Sequence, residues 1–93
     1  MQEGDKNIIY VGKKDTMAYV LAVISQFNQG IPEIHVKARG RSISKAVDIT
    51  QIVKNRFMPN MIIKSIDVST EDVASDDGRM SKVSSMDITI SKP

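Results

Sequence analysis

The chain has no cysteine and only one histidine among its 93 residues. A disulfide framework, a thiolate metal site and a cysteine nucleophile are therefore excluded, and a single imidazole does not make a metal site. Aromatic side chains are scarce: Tyr10, Tyr19, Phe27 and Phe57. Each falls at an apolar position of its local pattern, so no platform of exposed rings is expected for stacking on unpaired bases. No apolar run approaches the ~18 residues of a membrane-spanning helix. The stretch Met1-Gln2-Glu3-Gly4-Asp5-Lys6 has no basic region leading into an apolar one. The expectation is a soluble, intracellular protein without membrane association. Carboxylates cluster in turns and on polar strand faces, and His35 alternates onto such a face as an ordinary exposed histidine. With no titratable group placed for a cleft, an enzyme is not expected. Gly40 and Gly78 lack the spacing of a nucleotide-binding loop, so no cofactor is expected either.

What is present is charge, unevenly distributed. The net charge of +2 is small. Residues 1–57, however, hold nine Lys/Arg against five acids, whereas the remainder has four against six. A positive end and a negative end follow.

The apolar run Ile8-Ile9-Tyr10-Val11 lacks alternation, which suits a strand covered on both faces or paired at an interface. Gly12 closes it, and Asp15 or Thr16 can cap a helix from Met17 to Asn28 with apolar residues at 17, 20, 21, 24 and 27. Tyr19 and Val23 widen that stripe and hint at a second buried surface. Gly30 and Pro32 end the helix. Ile34, Val36 and Ala38 then alternate with His35, Lys37 and Arg39, a half-buried strand with cations on its other face. Gly40 ends it. Ser42 or Ser44 can cap a second helix whose stripe is Ile43, Ala46, Val47, Thr50, Val53 and Phe57, stopping before Pro59. A third strand follows with Ile62, Ile66 and Val68 on one face. Asp77-Gly78 marks a hairpin tip, and the last strand turns Met86, Ile88 and Ile90 inward.

The order β-α-β-α-β-β predicts an α+β fold spanning residues 1–93 as a single domain, a two-layer sandwich with a mixed four-stranded sheet. Right-handed crossovers place both helices on one face, and a long hairpin can project beyond the sheet. Both helices and the last two strands carry more apolar surface than a two-layer monomer covers, which predicts a two-fold dimer.

The sharpest functional signal is a repetition. Lys13-Lys14 lies in the first β-to-α turn, and Arg39-Gly40-Arg41 lies in the second, with Lys45 one turn further on. If the first two strands are parallel neighbours, both turns emerge at one sheet edge, and cations gather beside two helix N-termini. Phosphate is the expected ligand. Backbone recognition of duplex nucleic acid fits best, with RNA on the same basic surface, or a phosphorylated metabolite at the helix N-termini, as alternatives.

The block Lys37-Ala38-Arg39-Gly40-Arg41-Ser42-Ile43-Ser44-Lys45-Ala46-Val47-Asp48, the Gly12-Lys13-Lys14 strand end, Asn55-Arg56-Phe57-Met58-Pro59 and the Asp77-Gly78-Arg79 tip resemble the Alba family of small archaeal chromatin proteins, over nearly the whole chain. The resemblance implies a fold similar to the C-terminal domain of bacterial translation initiation factor three. It also implies a homodimer that binds double-stranded DNA without sequence preference, and RNA in some members, in chromosome-associated form in the cytoplasm. Lys13, Lys14, Arg39 and Arg41, with Lys45, would contact phosphates. Arg79 would enter the minor groove. Arg56 and Phe57 would join neighbouring dimers, against the periodicity, which makes Phe57 a core residue. Lys13 resembles a lysine whose acetylation weakens binding, implying an acetylase and deacetylase as partners. Asp15 and Asp76-Asp77 depart from the family pattern, which predicts weaker binding.

Overall fold

The computed structural model describes residues 7–93. The expectation for Met1–Lys6 lies outside the described residues. Six elements follow in order: β1 (Ile8–Tyr10), α1 (Thr16–Asn28), β2 (Glu33–Arg39), α2 (Ile43–Ile52), β3 (Ile62–Ala74) and β4 (Met80–Ser91). A 3₁₀ turn, Gly40–Ser42, leads into α2, and a π turn, Val53–Phe57, extends it. The architecture is the expected α+β sandwich, one mixed four-stranded sheet with two helices.

The strand order is β1-β2-β4-β3. β1 pairs parallel to β2, while β4 runs antiparallel to both β2 and β3. β3 is therefore parallel to β2 but not its neighbour, because the second crossover skips one position and the hairpin return fills it. Ile9, Val11, Ile34, Val36, Ala38, Ile88 and Ile90 line one face. Val20, Val23 and Phe27 from α1, and Ala46, Ile49 and Val53 from α2, cover it in a single apolar core.

Several expectations need correction. β1 is covered on one face only, with Ile9 and Val11 buried and Tyr10 67% exposed between them. In α1, Tyr19 and Val23 belong to the main core rather than to a second surface, and Leu21 points out. Neither Ser42 nor Ser44 caps α2, since Ser42 is already helical within the 3₁₀ turn and makes no side-chain cap. Val47 lies off the buried stripe of α2, and Ile49 lies on it. In β3 the register slips between Ile63 and Ser65. This bulge at Lys64 reverses the alternation, so Ile63, rather than Ile62, shares the helix-side face with Ile66 and Val68.

The glycine positions follow the reading. Gly30, at φ 91°, ends α1, and Gly40, at φ 58°, breaks β2 in a backbone region that a Cβ disfavours. Gly40 thereby separates Arg39, still extended, from Arg41 in the 3₁₀ turn.

Candidate nucleic-acid interface

The register decides where the cations go. β2 ends at Arg39, opposite Ser85 of β4. Beyond that line, five further pairs, from Thr70–Ser84 to Ala74–Met80, continue without β2 beside them. At about 3.4 Å per residue this arm projects about 17 Å. Because β1, β2 and β3 are mutually parallel, the arm leaves the sheet at the edge where β1 and β2 end. Lys13-Lys14, Arg39-Gly40-Arg41 and the arm therefore share one edge, as the repeated basic turns suggested.

Each cation has its own setting. Lys13, Lys14 and Arg41 are exposed and, among the described residues, form no ion pair. Arg39 turns to the open sheet face, where its Nη1 lies 3.4 Å from Glu71 Oε1 at the root of the arm. Arg79, at the tip, has a side chain 86% exposed with Nε 3.5 Å from Asp77 Oδ2. Lys45 differs from the rest. Its Nζ donates to the carbonyls of Gly12 and Lys14, both at 2.9 Å, and stands 5.9 Å from the centre of the Tyr19 ring. The Tyr19 hydroxyl accepts from the N–H groups of Gly12 at 2.8 Å and Lys14 at 3.1 Å.

Of the three acids that depart from the family pattern, Asp15 and Asp77 organise backbone. Asp15 caps α1 by accepting from the Met17 N–H. Asp77 accepts from Ser75 Oγ and the Arg79 N–H, which holds its carboxyl below the ordinary range and shapes the tip. On the open sheet face His35 is half-buried rather than simply exposed, with Nδ1 3.1 Å from Asp87 Oδ1 and 3.2 Å from Thr89 Oγ1. Beside it, the Lys64 ammonium donates to Glu33 at 2.7 Å and lowers that carboxyl as well. Among the described residues, no group of three or more His, Asp or Glu side chains is placed to hold a metal, and no helix is long and apolar enough to cross a membrane.

The family model for Alba matches residues 7–70. The chain belongs to the Alba family. A protein of Methanocella arvoryzae described as "DNA/RNA-binding protein Alba" is 46% identical over 89 residues, 96% of this chain and 93% of that protein. The structure of Alba from Thermoplasma volcanium superposes with a TM-score of 0.88 at 49% identity, covering 92% of this chain and all of that one. ALBA1 from Trypanosoma brucei shares the fold at a TM-score of 0.77 and 22% identity, covering 94% of this chain and 69% of that chain.

On this Alba scaffold, Arg56 and Phe57 stand at the end of α2 remote from Arg41. Phe57 is 46% exposed, so its assignment to the core by periodicity was wrong. The cause is the π turn: Met58 N–H bonds the Val53 carbonyl, five residues back, and the wider turn rotates Phe57 off the stripe that Val53 continues. Lys54 Nζ holds the following turn through the carbonyls of Pro59 and Met61. Sequence reading missed Tyr19 as an anchor of the Gly12–Lys14 backbone. One signal was available, since a tyrosine on a helix stripe must bring its hydroxyl to a partner. It also missed the exposure of Tyr10, which shares a groove with Lys37, Arg39 and Glu71.

Proposed function

We propose that this protein is a non-enzymatic architectural component of chromatin that binds duplex DNA, without sequence preference, as a homodimer. The observation that carries the reading is the common edge: two basic β-to-α turns and an arm tipped by Arg79, all directed the same way by the parallel relation of β1, β2 and β3. Lys13, Lys14 and Arg41 neutralise phosphates, Arg39 joins them when Glu71 releases it, and the two arms of a dimer carry Arg79 into the minor groove. Dimerisation is supported by Ile66 and Val68, which lie on the helix-side face of the edge strand and remain 56% and 70% exposed. Phe57 and Arg56 provide a contact between neighbouring dimers. Acetylation of Lys13 by an acetylase removes one exposed cation and weakens binding, and a deacetylase restores it. Such a protein needs no cofactor and resides on the chromosome in the cytoplasm.

RNA is the second reading. It is favoured by Tyr10, whose exposed ring beside Lys37 and Arg39 gives an unpaired base a stacking surface.

Competition among duplex DNA, duplex RNA and single strands at stated salt tests both. The duplex reading expects log Kd for DNA to rise with log salt by about 0.9 per phosphate neutralised, with little dependence on sequence. A slope near zero removes that reading. Preference for single strands that disappears in Tyr10→Ala establishes the second.

A further inference from the structure

We infer that Lys45 and Tyr19 are positioning residues for the Lys13-Lys14 turn, and that Lys45 is not itself a phosphate ligand. The inference rests on the duplex-binding reading above. It removes one cation from the contact set that the sequence suggested and adds a tyrosine that no charge pattern marks.

A lysine ammonium has three N–H donors. At Lys45 two of them are taken by the carbonyls of Gly12 and Lys14, each at 2.9 Å, and the Tyr19 ring lies beside the charge with its centre 5.9 Å away. One N–H is left over on the Tyr19 side, so a phosphate that took Lys45 as a full partner would have to break charge-assisted hydrogen bonds that the turn already provides. Tyr19 completes the grip from the other side: its buried hydroxyl accepts from the N–H groups of Gly12 and Lys14, so the backbone donors and acceptors of both residues are held. Lys13, between them, is left with its side chain exposed. A lysine on α2 thus fastens the turn that precedes α1, and the two basic turns form one rigid constellation rather than two independent loops. The free energy of ordering two long cations on a loop is met on folding instead of on binding.

The test is a double-mutant cycle on binding to a mixed-sequence duplex, combined with amide hydrogen exchange on the free protein. Lys45→Met and Tyr19→Phe are each made in the native background and in Lys13→Ala/Lys14→Ala. Each is expected to weaken binding about 3- to 10-fold in the native background and by less than about 1.5-fold once both lysines are gone, because residues acting through a shared partner are not additive. Exchange at the Gly12 and Lys14 amides should accelerate at least about tenfold in both variants, while Ile88 in the sheet centre keeps its native protection. Equal losses in the two backgrounds would identify Lys45 as an independent phosphate contact and overturn the inference. Unchanged exchange at Gly12 and Lys14 overturns it as well. If Lys45→Met does not fold, Tyr19→Phe carries the test, since it keeps the buried ring. Failure of the native protein to bind the duplex removes the duplex-binding reading instead, and the exchange data still decide whether the clamp holds the turn.

Discussion

Arg39 Nη1 and Glu71 Oε1 lie 3.4 Å apart, so the cation that ends β2 is held by an acid at the root of the hairpin arm. Both side chains are about half exposed, at 57% and 47%. Such a pair contributes between 0 and about 1 kcal/mol to stability. It is weak enough for a phosphate to replace Glu71 as the partner of Arg39. Glu71→Gln should therefore tighten duplex binding severalfold at low salt and steepen the salt dependence by up to about 0.9 per subunit, with little change in melting temperature. Isotherms at three salt concentrations check this, and affinity and slope both unchanged would show that Glu71 does not compete with phosphate for Arg39.

Phe57 and Phe27 offer a matched comparison. Phe27 is 1% exposed and Phe57 46%. Phe27→Ala should cost about 3–5 kcal/mol of folding free energy. Phe57→Ala should cost less than about 1 kcal/mol, as exposed sites generally do. If Phe57 joins neighbouring dimers, its removal leaves binding to a duplex long enough for one dimer intact and abolishes cooperative coverage of a longer one. Chemical denaturation together with titrations on two duplex lengths separates these effects. A large stability loss at Phe57 would return it to the core.

Neither helix covers most of β3, and Ile66 and Val68 stand on its helix-side face. An aspartate at either position should leave the fold intact, because both are exposed within the subunit, but should convert the dimer to a monomer at micromolar concentration. Sedimentation of Val68→Asp, with circular dichroism as a control, tests this. A native protein that already sediments as a monomer contradicts the dimer directly.

Asp77 links arm order to pH. Hydrogen bonds from Ser75 Oγ and the Arg79 N–H favour its charged form, so its carboxyl in the folded arm lies below the ordinary value of 3.8. A depressed carboxylate contributes order that is fully present above the ordinary pKa and is lost as pH falls through the depressed one. The tip should therefore be unchanged between pH 5 and pH 8, roughly, and loosen only in stronger acid. The Arg79 amide resonance is the readout, and Asp77→Asn should abolish its acid transition. A transition near neutral pH would point to another group.

Much of the fold was legible because its signals are local. Alternation in Ile34–Ala38, helical spacing in α1 and α2, the Gly40 break and the Asp77-Gly78 tip each depend on a few successive residues. The pairing of the two basic turns was legible too, since parallel neighbouring strands joined by a helix bring equivalent turns to the same edge. Where the reading failed, a local rule was overridden by one residue. The bulge at Lys64 shifts a period of two, and the π turn at Val53–Phe57 shifts a helical period. Neither has a composition that announces it.

Local patterns in the chain already carry the element order, the edge on which positive charge gathers and the resemblance to the Alba family. What each cation does at that edge depends on long-range packing. Lys45 and Lys14 look equivalent in a list of charges. In the fold, one ammonium lies against two carbonyls and a tyrosine ring 26 residues earlier in the chain, and the other side chain is exposed. Arg39 and Arg41 flank one glycine, yet one meets Glu71 across the sheet and the other remains open. A hydrogen bond or an ion pair depends on a few ångströms of distance. Distances between residues far apart in the chain are set by the packing of the whole sheet against its helices.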